Sequence, residues 1–401
     1  MALLPVEDAR TRILRNVKPL PAESIPLVKA LGRVLAHKVR AVRDQPPFPA
    51  SAMDGYAVIA ADVVSTPVSL KVIGTSAAGH GFRGRIRSGE AVRIFTGAPM
   101  ARGADAIVIQ ENTAVQAKPY VSILSPVKVN QNLRARGLDF KRGDVLLEPG
   151  LRLNARDTGL AAAANVAAVR VRRKPRIAIF ATGDELVIPG ADPGPDQIVS
   201  SNSHALQAMA MLYGADVINL GIVRDRLKAT ERAIARAADA DVLVTTGGAS
   251  VGDHDFIQEA LKNSGVDIKF WKIAMRPGKP FMYGRKGRQH VMGLPGNPVS
   301  ALVCARLFLK PLLDAMQGLP AGDDLVMARL TTPMKANDTR QDYVRAALAL
   351  ADDGSRKVTP FNQQDSSMQR TFRASDCLIV RPPHAPEAAA GDLVPVLLLD
   401  F

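Results

Sequence analysis

Between residues 176 and 318 the sequence alternates short apolar runs with amphipathic segments, and this alternation limits the possible folds more than any other feature. Strands that alternate with helices at this spacing predict an open, mainly parallel sheet that binds ligands at the carboxyl ends of its strands. The last helix is predicted to begin at Asn297, because this capping residue precedes Pro298 at the first helical position. Strands are predicted at 176–181, 216–223, 241–246, 268–273, 280–283 and 291–294, and helices at 201–214, 229–238, 253–263 and 297–318.

The loop after the third of these strands is rich in glycine. Gly247, Gly248 and Gly252 allow backbone amides to approach a ligand closely, because glycine has no Cβ atom. A helix is predicted to begin near Asp253, where its first amides favour an anion, and the carboxylates of Asp253 and Asp255 suit Mg²⁺. The loop is therefore consistent with a metal-chelated phosphate ligand. It is equally consistent with a capped helix that binds nothing.

Charged residues and glycines follow five of the predicted strands. In a parallel sheet the carboxyl ends of the strands meet at one edge, so these five loops are expected to open onto one crevice. Carboxylates, cations and amide-rich turns would then converge on a single ligand site. The five loops are 182–185, 224–226, 247–255, 276–280 and 295–298.

The flanking segments predict further domains. Residues 4–42 are expected to be helical, with Leu27 and Leu31 on the apolar face of one helix, and short β-type runs follow them. The predicted fold class is a multi-domain α/β protein whose central three-layer domain contains a mainly parallel sheet. The predicted domains are a helical linker domain at 1–45 and 145–175, an inserted β-rich domain at 46–144, an α/β domain at 176–325 and a small C-terminal β domain at 326–401.

Composition excludes several classes of protein. Only Cys304 and Cys377 occur, far apart, which argues against a disulfide framework or a cysteine-type zinc site and favours a reducing, cytoplasmic compartment. No signal peptide or membrane span is predicted. The net charge of +14 is accompanied by only 4% aromatic residues, with no basic stretch interleaved with them for base stacking. We therefore expect a small anionic substrate, and neither nucleic acid nor a membrane, as the partner of this charge.

Six motifs occur in one order along the chain. They are Ser-Ala-Met-Asp-Gly-Tyr-Ala at 51–57, Arg-Ile-Phe-Thr-Gly-Ala-Pro at 93–99, Thr-Gly-Asp-Glu-Leu at 182–186, Thr-Gly-Gly-Ala-Ser-Val-Gly at 246–252, Arg-Pro-Gly-Lys-Pro at 276–280 and Gly-Leu-Pro-Gly-Asn-Pro at 293–298. This series resembles the molybdopterin molybdotransferases, which are the bacterial MoeA proteins and the E domain of gephyrin. The resemblance covers nearly the whole chain.

The resemblance implies a cytoplasmic homodimer that uses molybdate and adenylylated molybdopterin. The enzyme would release AMP and leave molybdenum on the dithiolene, with a divalent cation assisting. The resemblance also implies an elongated four-domain subunit, in which the β module of one subunit approaches the α/β crevice of the other. The molybdopterin adenylyltransferase and molybdoenzyme-maturation proteins are further partners that it suggests.

Roles for individual residues follow from this resemblance. Molybdate is a small dianion, and Arg276, Lys279 and Ser250 are its expected donors, with Arg340 and Arg345 in support. The expected Mg²⁺ ligands are Asp225, Asp255 and Glu185. Asp54 and Thr96 belong to the β module and are expected to reach the site from the partner subunit. The predicted catalytic residues are Asp54, Thr96, Glu185, Asp225 and Asp255, and the predicted substrate-binding residues are Gly247, Gly248, Ser250, Gly252, Arg276, Lys279, Pro295, Pro298 and Arg345.

Two alternative functions remain open from the residues alone. The molybdopterin adenylyltransferases share the Gly-Gly loop of the α/β segment, but they are single-domain proteins without the Ser-Ala-Met-Asp motif. A non-enzymatic scaffold, as gephyrin is at synapses, is the second alternative. Glu185 and Asp54 also have a simpler interpretation as turn or cap carboxylates.

Overall fold

The computed structural model describes residues 3–247, 256–322 and 325–401. The chain forms two compact units, each built from more than one stretch of sequence. The first unit comprises Met1–Glu23, Gly32–Ala36 and Val171–Phe401, and the second comprises Ser24–Leu31 and His37–Arg170.

The amino-terminal part of the chain, up to residue 172, is mostly β. The order of its elements is α1 (Val6–Leu14), β1 (Ala22–Pro26), β2 (Val39–Arg40), β3 (Ala50–Ser51), β4 (Gly55–Val58), β5 (Val68–Ser76), β6 (Glu90–Ile94), β7 (Ala106–Ile109), β8 (Thr113–Val115), β9 (Tyr120–Ile123), β10 (Leu133–Arg134), β11 (Val145–Leu147), α2 (Ala155–Ala163) and β12 (Ala168–Arg172). Short 3-10 turns lie at Leu27–Lys29, Ala60–Val63 and Gln110–Asn112.

The second unit is built around a six-stranded sheet in the order β7-β4-β6-β5-β9-β8. Its neighbouring strands are antiparallel, except that β5 and β6 are parallel. One apolar cluster of this sheet contains Val58, Leu70, Val108 and Val121, all of them buried. The prediction of a β-rich module in this part of the chain is therefore confirmed.

The helix predicted across Leu27 and Leu31 is wrong. Pro26 is extended, and only a 3-10 turn follows it, at Leu27–Lys29. The amide of Leu27 donates to the carbonyl oxygen of Ala167 at 2.9 Å, so it makes no hydrogen bond within a helix. Leu31 is 69% exposed and therefore does not lie on a buried apolar face. Long-range backbone pairing overrides the local apolar spacing here.

The rest of the first unit contains a three-layer α/β domain and a C-terminal sheet. The elements of the α/β domain are β13 (Arg176–Thr182), β14 (Leu186–Val187), β15 (Ile198–Val199), α3 (Asn202–Leu212), β16 (Asp216–Val223), α4 (Leu227–Arg236), β17 (Val242–Thr246), α5 (Phe256–Asn263), β18 (Asp267–Trp271), β19 (Met275–Arg276), β20 (Met282–Lys286), β21 (Gln289–Leu294), α6 (Pro298–Cys304), a π-helical turn (Ala305–Leu309) and α7 (Lys310–Gln317). The elements of the C-terminal sheet are β22 (Leu325–Leu330), β23 (Gln341–Leu350), β24 (Arg356–Pro360), α8 (Gln369–Arg373), β25 (Cys377–Arg381) and β26 (Leu393–Leu398).

Alternate residues of the central strands pack against two different helical layers. Ile177 and Ile179 of β13 belong to one apolar cluster, which includes residues of α3, α6 and α7. Ala178 and Phe180 of the same strand belong to another cluster, with residues of α4 and α5. Side chains of a strand alternate between its two faces, so the sheet is covered on both sides. This arrangement confirms the predicted three-layer domain.

The central sheet has the strand order β16-β13-β17-β21-β20-β18. Strands β16, β13, β17 and β21 are parallel to one another. Strand β20 is antiparallel to both β21 and β18, so β18 again runs in the direction of the four parallel strands. The loops after β13, β16, β17, β18 and β21 therefore lie at the same edge of the sheet. The predicted mainly parallel sheet is confirmed.

The C-terminal sheet includes one short strand contributed by the central domain. Its order is β19-β23-β24-β22-β26-β25, and β25 also pairs with β23, so the larger strands close on themselves. The short strand β19 pairs in parallel with β23, with Arg276 opposite Asp342. Arg276 is thereby placed directly against the C-terminal domain.

No helix in the described part of the chain is both long and apolar enough to cross a bilayer.

Candidate functional site

A cavity of about 730 Å³ opens at the carboxyl edge of the central sheet. All five of the predicted loops contribute to its wall, through Glu185, Asp225, Gly247, Lys279 and Asn297 among others. A sixth segment, which contains Gln364, Asp365 and Ser366, enters from the C-terminal domain. The convergence of the five loops, inferred from strand ends alone, is thus present in the structure.

Asp225 and Glu185 are the described carboxylates expected to bind a cation, and both line the cavity. Burial raises the pKa of Asp225 above its ordinary value of 3.8, and the charges of Glu185 and Asp184 raise this pKa further. Repulsion between ionised carboxylates at this point would be relieved by a bound cation.

The proposed metal ligands lie only partly within the described residues. Asp255 falls outside them, as do Gly248, Ser250 and Gly252. Among residues 3–247, 256–322 and 325–401, no group of three or more His, Cys, Asp or Glu side chains is arranged to hold a metal ion. The described part of the site therefore supplies two carboxylates, Asp225 and Glu185, toward the predicted set of three.

Gly247 lies where the loops after β17 and β21 meet. Its φ is +87°, and a Cβ atom at this position would overlap the carbonyl oxygen of Thr182, so no other residue fits without strain. The neighbouring Thr246 hydroxyl donates to the Pro295 carbonyl at 3.1 Å. Asn202 donates to the Thr246 hydroxyl at 3.0 Å and to the Gly296 carbonyl at 2.6 Å. The start of α3 therefore fastens these two loops together.

Two of the predicted anion donors are held by carboxylates of the C-terminal domain. Arg276 forms an ion pair with Asp342 through Nη2, and its Nη1 lies 3.4 Å from Asp338. The pKa of the Arg276 guanidinium is raised, first by its hydrogen bond to Asp342. Arg340 also lies 3.4 Å from Asp338. Sequence reasoning missed both carboxylates, because their partner Arg276 is more than 60 positions away in the chain.

The C-terminal loop at 364–366 is joined to the start of α6. Asn297 donates its side-chain amide to the Ser366 hydroxyl at 2.7 Å, and the Val299 amide donates to the Ser366 carbonyl at 3.1 Å. Asn297 occupies the predicted cap position, but its side chain makes no capping hydrogen bond. The residue connects two domains instead of closing its own helix.

The predicted ligands Arg345, Pro295 and Pro298 occupy three different places. Arg345 is 1% exposed and, within the described part of the chain, is not among the residues of the cavity wall. Its Nε donates to the Gln364 side chain at 3.2 Å, and burial lowers the pKa of its guanidinium. Pro295 lines the cavity, whereas Pro298 lines an adjoining cavity of about 430 Å³. Arg345 thus binds Gln364, which is a residue of the cavity wall.

Asp54 and Thr96 contact each other in the second unit. The Thr96 amide and hydroxyl donate to Asp54 Oδ1 at 2.7 and 2.8 Å. These two hydrogen bonds, the amide first, hold the pKa of Asp54 below its ordinary value, and the charge of Arg93 adds to the effect. The structure therefore brings this predicted pair together. Its contribution to the crevice of a partner subunit stays a prediction.

Comparisons with known families cover nearly all of the chain. Residues 4–165 match the MoeA N-terminal region (domain I and II). Residues 178–315 match a probable molybdopterin binding domain, and residues 327–399 match the MoeA C-terminal region (domain IV). The three matches follow one another in the order of the sequence motifs.

Curated relatives and solved structures agree with these matches. A molybdopterin molybdenumtransferase of Haemophilus influenzae is 34% identical over 398 residues, which are 98% of each chain. One from Nostoc sp. is 37% identical over 340 residues, covering 82% of this chain and 78% of the relative. Two crystal structures of the MoeA protein of Pyrococcus horikoshii superpose with TM-scores of 0.84 and 0.82, at 30% and 27% identity, and each covers 99% of this chain and at least 99% of its own.

Proposed function

The chain belongs to the MoeA family and is a molybdopterin molybdenumtransferase of molybdenum cofactor biosynthesis, and we propose that its substrates are molybdate and adenylylated molybdopterin. In this proposal AMP is released, molybdenum is left on the dithiolene, and Mg²⁺ assists.

One observation carries the proposal, namely the opposite charges around a single cavity. Lys279, Arg276 and Arg340 contribute cations to its wall, and Asp225 and Glu185 contribute carboxylates. A dianion such as molybdate requires the cations, and a metal-chelated pyrophosphate requires the carboxylates.

The volume available supports a ligand with two parts. The cavity of about 730 Å³ adjoins the one of about 430 Å³, and both are lined by Glu185, Gly247 and Asn297. We assign the pair of cavities jointly to the pterin phosphate and the nucleotide of the adenylylated substrate. The amides near Gly247 would approach the phosphates without obstruction from a side chain.

Asp225 and Glu185 fit Mg²⁺ because oxygen ligands suit this cation and because the pKa of Asp225, which is raised first by burial, is raised further by the neighbouring negative charges of Glu185 and Asp184. When bound, the cation would neutralise the pyrophosphate and polarise the scissile bond. Asp255, the third proposed ligand, is tested directly by Asp255→Asn. This variant keeps the size of the side chain, and AMP release is expected to fall at least about a hundredfold, with partial recovery at higher Mg²⁺.

An assay of products separates the proposal from its alternatives. The purified protein is mixed with adenylylated molybdopterin, Mg²⁺ and molybdate, and separately with molybdopterin and ATP. Release of AMP in the first mixture supports the proposal. Formation of the adenylylated species in the second mixture supports an adenylyltransferase. If neither product forms, the result supports a scaffold.

We further propose a cytoplasmic homodimer in which Asp54 and Thr96 complete the cavity of the partner subunit. A heterodimer of Asp54→Asn and Asp225→Asn subunits tests this arrangement. It would contain one intact composite site, so about half of the wild-type activity per dimer is expected, far above either variant alone. Activity no higher than the mean of the two variants, or a monomer that retains activity, would contradict the proposal. The molybdopterin adenylyltransferase and molybdoenzyme-maturation proteins are the partners we propose upstream and downstream.

A further inference from the structure

Arg276 lines the cavity, and its guanidinium is paired with two carboxylates. Arg276 lines the cavity wall, whereas Asp342 and Asp338 are not among the wall residues in the part of the chain that the structure describes. Both carboxylates nevertheless contact the guanidinium, through Nη2 and Nη1 respectively. The side chain of Arg276 is 48% exposed, whereas that of Asp342 is 11% exposed. Arg276 is therefore accessible to an anion in the cavity while it remains paired with Asp342.

The two carboxylates differ in how firmly they hold the arginine. The side chain of Asp342 is 11% exposed, whereas that of Asp338 is 47% exposed and lies 3.4 Å from Nη1. Asp338 is shared with Arg340, whose backbone amide also donates to it at 2.8 Å. Ion pairs with exposed partners contribute little, while partly buried, charge-assisted hydrogen bonds are stronger. Asp342 is therefore the main anchor.

The backbone fixes the distance between the two partners. Arg276 lies opposite Asp342 in the parallel pairing of β19 and β23. The Gln341 amide donates to the Ala274 carbonyl at 2.9 Å, immediately before this pair. A long arginine side chain loses rotamer freedom when it is held at both its Cα atom and its guanidinium. Most of the entropic cost of orienting Arg276 is thus met before any substrate binds.

We propose that Asp342 is a positioning residue for the anionic substrate, acting through Arg276. Asp342 holds the guanidinium at the cavity wall in the orientation that an oxyanion requires, so the C-terminal domain takes part in substrate recognition without contacting the substrate. This inference rests on the proposed function, because it takes molybdate to be the anion. Removing the Asp342 charge should weaken molybdate binding, although a negative charge near the site is lost.

The test compares three variants of the full chain in the AMP-release assay. Asp342→Asn should raise the KM for molybdate about tenfold, the loss expected when Arg276 is no longer held in place to make one charge-assisted hydrogen bond to the anion. Its kcat at saturating molybdate should stay within about twofold of wild type. Asp342→Glu should return the KM to within about threefold of wild type, because it restores the anionic partner. Asp353→Asn, a charge loss in an exposed turn of the same domain, should change neither constant.

Calorimetric titration with molybdate alone provides a readout that does not depend on turnover. The Kd should follow the same order as the KM values. An unchanged or lower KM and Kd in Asp342→Asn would overturn the inference, since Asp342 would then be an interdomain contact or a competing charge. If Asp342→Asn does not fold, Asp338→Asn decides the matter. A KM rise of about threefold is expected there from loss of the weaker tether, and an unchanged KM would contradict the two-carboxylate arrangement.

The wild-type protein separates the two possible failures. If wild type releases no AMP, the proposed function fails. If wild type releases AMP but Asp342→Asn binds molybdate normally, only the positioning role fails.

Discussion

Asp225 in the first unit and Asp54 in the second are both predicted catalytic carboxylates, but their surroundings shift their pKa values in opposite directions. Burial and the neighbouring charges of Glu185 and Asp184 raise the pKa of Asp225. Two hydrogen bonds from Thr96 lower that of Asp54. Carboxylates whose environments separate their pKa values in this way usually have different tasks. The hydrogen bonds from Thr96 favour the ionised form of Asp54, whereas burial and neighbouring charges disfavour that of Asp225, which would therefore gain most from a cation.

The largest loss of activity is expected from a substitution of Asp225, the predicted catalytic carboxylate of the first unit. Asp225→Asn removes one of the two described carboxylates that we propose as cation ligands, and AMP release should fall at least about a hundredfold. Asp184→Asn is the matched control, because Asp184 adds to the local negative charge but is outside the described wall. The rate of AMP release in this control should fall by less than about tenfold. Equal losses in the two variants would mean that net charge, and no particular ligand, governs activity. Initial rates at saturating Mg²⁺ provide the measurement.

Alanine substitutions at a glycine of each unit should differ in how much stability they cost. Gly247→Ala should destabilise the first unit by about 2 kcal/mol, because its positive φ and its contact with Thr182 both oppose a Cβ atom. Gly89→Ala in the second unit also has a positive φ, +78°, but no atom lies within 4 Å of the added Cβ. Its cost should be about 1 kcal/mol, from the backbone alone. Urea unfolding of both variants gives the free energies, and equal costs would show that the Thr182 contact relaxes easily.

A smaller loss of activity is expected from the second-unit carboxylate. Asp54→Asn should lower AMP release about tenfold if Asp54 contributes an ordered, charged group to the cavity of the partner. Asp62→Asn is a close control, because Asp62 likewise accepts from a hydroxyl, Ser88, and an amide, Gly89. It should retain full activity. Similar losses in both variants would indicate that the β sheet is merely perturbed.

The smallest effect concerns stability against pH, where the two carboxylates should have opposite signatures. The folded pKa of Asp225 is raised, so the native state favours its protonated form, and its contribution to stability is lost as pH rises from 3.8 through the folded value. The folded pKa of Asp54 is lowered, so its contribution is present above 3.8 and is lost as pH falls through the folded value. Urea unfolding of wild type, Asp225→Asn and Asp54→Asn from about pH 3 to pH 6 measures these differences. Slopes of the same sign would contradict the contrast.

Sequence reasoning succeeded where structure depends on neighbouring residues. Strand β16 is predicted with its observed bounds, Asp216–Val223, because it is a short run of apolar and β-branched residues between turns, although it lies at the edge of the sheet and is mostly not buried. The edge at which Asp225 and Lys279 meet followed from strand order along the chain. These features require only local periodicity and the general direction of βαβ connections.

Sequence reasoning did not anticipate contacts with distant partners. Arg276 is predicted as an anion donor, a role that stays a prediction, but its ion pair with Asp342 was not foreseen. Asn297 is predicted as a helix cap, and the helix does begin there. Its side-chain amide, however, donates to the Ser366 hydroxyl. Nothing near these residues in the chain indicates such partners, since the contacts form only when the C-terminal sheet packs against the central domain.

The two-residue strand Met275–Arg276 also bears on how the first unit unfolds. Because it belongs to a loop of the central domain and pairs with β23, the C-terminal sheet cannot open at Gln341 without releasing that loop. The amide hydrogen of Gln341 should therefore exchange with solvent only when the two domains part, and its protection factor would report the free energy of that separation. The central and C-terminal domains would then behave as one cooperative folding unit, despite having separate sheets.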